Sequence, residues 1–211
     1  MPTRRWIGNN LPSVPDLLIT RLITGLADLS EPIATGGGDP AGGVGAALVV
    51  ALAAAVAAAV ADRSRGEWIQ AGAARAQAQV LRRRALELAR RDLAAHAEAR
   101  RHLGGREHAT SSQAKDWQLG QAVSTAAQPP LELAACARDL AQLAELLAGH
   151  ADPDVRPDAV VAAMLSAGAA RAAAHLVEIN LVAGADDRRL AEARNRVLEA
   201  EQAARTSSQI T

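Results

Sequence analysis

Thr35-Gly36-Gly37-Gly38-Asp39-Pro40-Ala41-Gly42-Gly43, followed at once by the uncharged run Val44–Ala61, is the stretch whose reading decides the fold. Three consecutive glycines let the backbone take φ > 0 or approach a ligand closely. Asp39 then Pro40 reads as a helix start, with Asp as N-cap and Pro as the first helical residue. A bare turn therefore delivers the positive end of a helix, which can receive a carboxylate or another electron-rich group. It is not a Walker loop, because no Lys-Ser/Thr follows. It is not a dinucleotide fingerprint, because no strand precedes it. A glycine-rich turn that only permits tight helix packing is the plainer alternative. The run Val44–Ala61 approaches the length of a membrane span. It is mostly Ala and Gly, with no aromatic belt, and reads instead as a buried central helix with no membrane partner.

Outward from that run, apolar residues recur at helical spacing almost everywhere and no strand pattern appears. The expected class is all-α, a single up-and-down bundle of about six to seven helices. Residues 1–12 read as an extension, 13–207 as the helical domain and 208–211 as a frayed tail. Expected helices run from Ser13-Val14-Pro15-Asp16 to about Leu29, through the buried run to Arg63, and from Glu67 to Leu103. Further helices are expected up to Gln128, from Pro129-Pro130 to Gly149, from Asp158 to Ala183, and from about Asp186 to Ser207.

The chain has 211 residues, no Phe, no Tyr and three Trp, and nearly half of it is hydrophobic. A core so rich in Ala buries little area per residue. An oligomer, with helix faces continuing across an interface, is therefore expected, most simply a homodimer. The formal net charge is zero, and the one basic block, Arg82-Arg83-Arg84, sits inside a helical pattern. Nucleic acid is disfavoured as a partner. A single cysteine, Cys136, excludes an intrachain disulfide and suits a reducing, cytoplasmic setting. Arg4 and Arg5 precede no apolar core, so no signal peptide is read.

Asp92 and His96 are i and i+4, sharing one helix face. A carboxylate beside an imidazole is a workable acid/base pair, and a solvated surface pair is the plain alternative. Asp158, after Pro157, reads as a cap or a site residue. His175 lies on the apolar stripe Val161, Leu165, Gly168, Ala172, His175, Ile179, where a core histidine and a site histidine are the two readings. Asp158 and His175 are about 25 Å apart along a helix. If both matter, they serve opposite ends of a site or two subunits. Arg63 and Arg65 suit the helix dipole or a carboxylate ligand, and Trp68 either stacks on a flat heterocycle or anchors the core. His150-Ala151-Asp152-Pro153-Asp154 lacks further ligands at metal-site spacing, so no metal is expected.

In order and spacing, several segments resemble the cyclodeaminase/cyclohydrolase family. They are the Gly36-Gly37-Gly38 loop before an Ala-rich helix, Arg65-Gly66-Glu67-Trp68, and a long helix carrying Asp92-Leu93-Ala94-Ala95-His96. Pro130-Leu131-Glu132-Leu133-Ala134, Pro157-Asp158-Ala159 and His175-Leu176-Val177-Glu178-Ile179-Asn180-Leu181 complete the series. That family comprises the cyclodeaminase part of formiminotransferase-cyclodeaminase and stand-alone methenyltetrahydrofolate cyclohydrolases. The resemblance spans about residues 13–200. It implies an all-α dimer acting on one-carbon tetrahydrofolates as substrates, without a metal or further cofactor. It places Asp92, His96 and His175 as catalytic candidates. The substrate-binding candidates are Gly36, Gly37, Gly38, Asp39, Arg63, Arg65, Trp68, Asp158 and Asn180. Relative to the family pattern, Thr35 replaces Pro and Asp39 replaces Ser. His96 stands for an aromatic, His175 for Asn and Trp68 for Tyr, and a basic cluster is reduced to Arg63 and Arg65. The implied reaction is ring opening of 5,10-methenyltetrahydrofolate by water, or ring closure of a formimino adduct with loss of ammonia. The departures leave open a scaffold recruited to other C–N chemistry. The long Ala-rich faces leave open a non-catalytic helical dimer that binds a folate or a partner.

Overall fold

The computed structural model describes residues 42–104, 113–181 and 187–210, and scattered helical positions between Thr20 and Ala34. Two contact units divide the chain, Met1–Ala41 and Gly42–Thr211. Within the second, six helices follow one another. They are α1 (Gly42–Arg63), α2 (Ala71–Gly104), α3 (Gln113–Ala126), α4 (Gln128–His150), α5 (Arg156–Asn180) and α6 (Arg188–Ile210). Short 3-10 turns, Ser64–Gly66 and Pro153–Val155, link α1 to α2 and α4 to α5. No strand occurs among the described residues. The all-helical expectation therefore holds, and several boundaries move. The long helix starts at Ala71 rather than Glu67, and α5 starts at Arg156 and ends at Asn180. The last helix stays regular to Ile210, past the expected fraying.

Burial explains the composition. Ala47, Ala53, Ala54, Ala57 and Ala61 of α1 are fully buried, as are Ala134, Ala137, Ala141 and Ala144 of α4. Leu88, Leu140, Leu147, Val50, Val60 and Val177 are the largest apolar side chains among the most deeply buried. Helices lined by methyl groups bring their backbones close together, so dispersion contacts replace the missing rings. α1 and the segment Pro153–Asn180 are long and apolar enough to cross a membrane. Both, however, lay an alanine face into the bundle core.

The helix ends are tied by specific polar contacts. Ser64, fully buried, donates to the Val60 carbonyl at 2.8 Å and accepts from the Asp152 amide at 3.1 Å. This pins the end of α1 to the turn after α4. Pro129 and Pro130 have no N–H, so the Ala126 carbonyl cannot find its usual partner four residues on. Asn180 supplies one, with Nδ2 donating at 3.1 Å. Arg189 donates to the Ser124 carbonyl and hydroxyl at 2.9 Å each, and is itself held by Asp187. The Arg189 guanidinium drives Asp187 down to about 2. α3, α5 and α6 are thereby fastened together at one end of the bundle.

α1 and α5 run antiparallel. Leu176, near the end of α5, packs 3.8 Å from where a Cβ on Gly42 would stand, while Met164 and Leu165 face Val49 midway along α1. One end of the bundle thus gathers the start of α1 and the end of α5. The opposite end gathers Arg63, Trp68, His150 and Asp158.

Candidate functional site

Asp92 sits on the inward side of α2, half-buried, against the first turn of α1. A Cβ on Gly43 would lie 2.5 Å from the Asp92 Cγ and 2.8 Å from Oδ1, with Oδ2 nearer still. Only a glycine at 43 leaves room for that carboxylate. Asp92 makes no hydrogen bond or ion pair with the described residues. Burial raises its pKa above the ordinary carboxylate value, and the positive charge of His96 offsets part of that rise. A partly desolvated carboxyl at a helix start, without a fixed partner among the described residues, is suited to exchanging protons with a ligand. The sequence signal for this contact was the Gly42-Gly43 pair. Its partner could be found only in three dimensions.

His96 lies one helical turn beyond Asp92 and is exposed, so the pair shares the expected face. The start of the loop reading, Thr35, Gly36, Gly37, Gly38 and Asp39, lies outside the described residues. Asn180 is at the same end of the bundle as Asp92, with its amide engaged by Ala126. His175 is at that end too, but on the outer side of α5. Its side chain is 69% exposed and 3.9 Å from Glu178, which also takes Arg194 at 3.1 Å. Most of the stripe containing His175 therefore faces outward, with Val161 48% and Ile179 53% exposed, while Leu165 is half-buried against the core.

The remaining candidates stand at the other end. α1 is 22 residues long, so Arg63 is about 30 Å from Gly43 at 1.5 Å per residue. Arg63 ends α1, exposed and with no ion-pair partner among the described residues. Arg65 pairs with Asp62 at 2.9 Å, and Asp62 also holds Arg75. Trp68 stacks on His150, with centroids 5.4 Å apart and planes 15° from parallel, which is the anchoring arrangement. Asp158 lies in the first turn of α5, exposed, where its charge favours the dipole. Within one chain, Arg63, Arg65, Trp68 and Asp158 are not brought together with Asp92.

Other titratable groups are committed elsewhere. Arg91 grips Glu132 bidentately at 2.7 and 2.9 Å, which holds Glu132 below its ordinary value. Cys136 is buried and its thiol is pushed up to about 11, so it is no nucleophile at neutral pH. Asp152 caps the amide of Asp154, and no group of three or more potential metal ligands occurs among the described residues.

The family model described as formiminotransferase-cyclodeaminase matches residues 25–199. No curated protein matches the chain. Among solved structures, the chain is similar to formiminotetrahydrofolate cyclodeaminase from Thermotoga maritima, with a TM-score of 0.71 and 20% identity. That alignment covers 94% of this chain and 95% of the other, which establishes a shared fold. With five-sixths of its length inside the family match and an all-helical structure among its described residues, the chain belongs to the formiminotransferase-cyclodeaminase family.

Proposed function

We propose that this chain makes or breaks a C–N bond at the one-carbon unit of a tetrahydrofolate, with Asp92 moving the proton. The observation that carries the reading is the half-buried Asp92 carboxyl seated on Gly43, with no hydrogen-bond or ion-pair partner among the described residues and with a raised pKa. In the hydrolytic direction, Asp92 accepts a proton as water adds to the amidinium carbon of 5,10-methenyltetrahydrofolate. The tetrahedral carbon then carries N5, N10 and a hydroxyl. Asp92 returns its proton to N5 as the C–N5 bond breaks, and the hydroxyl proton passes to solvent as the formyl C=O forms, leaving 10-formyltetrahydrofolate. In the cyclodeaminase direction, the formimino nitrogen enters protonated, and Asp92 accepts the proton of N10 as N10 attacks the formimino carbon. It then gives that proton to the departing nitrogen, which leaves as ammonia. One carboxyl that is base first and acid second serves both reactions, and a pKa raised by burial favours the return of the proton. The similar Thermotoga maritima structure carries the cyclodeaminase name, and one carboxyl acting in both senses serves either reaction.

The test follows the near-ultraviolet absorbance of the methenyl compound. The pure protein is incubated with 5,10-methenyltetrahydrofolate, and separately with 5-formiminotetrahydrofolate with ammonia measured alongside. Acceleration of either reaction over the spontaneous rate supports the reading. No acceleration of either, from mildly acidic to neutral pH, overturns it in favour of another C–N substrate or a non-catalytic dimer.

A cytoplasmic homodimer belongs to the same proposal. The outer faces of α1 and α5 leave Leu52 58%, Met164 52% and Val161 48% exposed, around a shallow groove lined by Gly45, Val49 and Gly168. A contiguous apolar patch of this kind marks an interaction surface. Sedimentation at micromolar concentration is expected to give a dimer, and Leu52→Glu is expected to shift it toward monomer with helicity unchanged.

A further inference from the structure

The chain holds three tryptophans and no other aromatic apart from its histidines. Trp6 lies outside the described residues, and Trp68 is committed to His150. Trp117, on α3, is 67% exposed. It stands at the side of a cleft of about 300 Å³ between α2 and α3. Leaving so large an apolar ring in water is unfavourable unless something covers its face.

The opposite wall of the cleft is the α2 face Ala95, Glu98 and His102. Ala95 is three residues after Asp92, so the cleft opens about one helical turn from the carboxyl. His102 Nε2 is 3.1 Å from Glu98 Oε1, and Glu98 also meets Arg101, so this wall is polar but internally neutralised. Beside Trp117, the exposed amides of Gln118 and Gln121 supply both donors and acceptors. An apolar plane flanked by uncharged amides and a balanced ion pair suits a flat, neutral ring with a hydrogen-bonding edge. It does not suit a carboxylate tail or a phosphate, for which the cleft offers no unopposed cation among its described lining residues.

We infer that the α2–α3 cleft is a ring subsite that takes a pterin-type N-heterocycle, stacked on Trp117 and read at its edge by Gln118 and Gln121. This rests on the proposed tetrahydrofolate chemistry for the identity of the ring. It extends that reading by naming the side chains that hold the ring carrying N5, about one helical turn from the carboxyl that moves the proton.

The probe is pterin-6-carboxylate, titrated into protein labelled with nitrogen-15. The indole N–H signals are assigned by single Trp→Phe variants. The Trp117 signal is expected to shift saturably while that of Trp68 stays still. Trp117→Ala is expected to keep its helicity and to weaken binding about 5- to 150-fold, the equivalent of the ~1–3 kcal/mol of one stacked base. Asp92→Asn is expected to bind the pterin as the parent does. An unmoved Trp117 signal overturns the inference. So does undiminished affinity in Trp117→Ala, or a Trp117 shift produced by p-aminobenzoylglutamate instead of the pterin. Saturable pterin binding without turnover of either folate substrate would overturn the proposed reaction and leave the ring subsite standing.

Discussion

Asp92→Asn is expected to lower the rate of the folate reaction about 10²- to 10⁴-fold, the usual contribution of a positioned acid–base group. Substrate affinity should change little, because the amide fills the same space beside Gly43. The stability of the same variant separates this role from a structural one. Burial raises the pKa of Asp92 in the folded protein, so the fold binds that proton more tightly than the unfolded chain does. The ionised form is then penalised at pH above the raised value, and the penalty disappears below the unfolded value. Asparagine removes it, so at neutral pH Asp92→Asn should be at least as stable as the parent. The two should converge as the pH falls from the raised pKa to the ordinary carboxylate range. A variant with full activity and lower stability would place Asp92 among the structural side chains. The pH–rate profile gives a second reading, because activity that needs Asp92 as a base declines with acid at a pH above the usual carboxylate range.

Gly43→Ala is expected to be the most damaging single methyl group in the bundle. Elsewhere inside a helix, Gly→Ala stabilises by up to about 1 kcal/mol. At position 43 the new Cβ would stand 2.5 Å from the Asp92 Cγ. Either the carboxyl swings out or the helices part, and overpacking of this kind costs about 1–3 kcal/mol. Thermal denaturation should therefore show destabilisation where propensity alone calls for the reverse. The rate should fall at least about tenfold, with the loss in kcat rather than KM, since a misplaced acid–base group is the cause. The acid limb of the profile should move down as the carboxyl gains water. Combining Gly43→Ala with Asp92→Ala removes the clash, so the double variant should be more stable than Gly43→Ala alone. Simple additivity of the two stability changes would show that the contact does not seat Asp92.

His96→Phe restores the aromatic of the family pattern. Under the folate reading it should retain activity within about tenfold. His96 is exposed and acts on Asp92 through its charge, and a pair screened by solvent on one side is worth about 1 kcal/mol or less. A loss as large as that of Asp92→Asn would point to another substrate.

Asp92 was legible as a candidate because a carboxylate and an imidazole at i and i+4 share a face in any α-helix. What faces that carboxyl was not legible, because Gly43 is 49 residues away and nothing in local spacing links them. His175 shows a different limit. The periodicity of Val161, Leu165, Gly168, Ala172, His175 and Ile179 is that of a core stripe, yet most of this stripe faces outward. The inward face of α5 is built from Ala159, Ala162, Ala163, Ala170 and Ala173. When close backbone approach sets the packing, the smallest side chains are driven inside and larger ones can be left on the surface. A ranking by hydrophobicity then selects the wrong face. The family resemblance implies ligand binding for Asn180 from its place in the closing motif. Its bond to Ala126 follows from Pro130, 50 residues earlier, which leaves that carbonyl without a donor.

By itself the sequence determined an all-helical chain, its breaks near Gly66, Pro129 and the 150–157 turn, and a buried α1, because helical periodicity, proline and uncharged runs act locally. Only the tertiary structure decided which helix ends meet. The antiparallel pairing of α1 with α5 puts Asp92, Asn180 and His175 at one end and Arg63, Arg65, Trp68 and Asp158 at the other, a sorting that depends on contacts between residues distant in the chain.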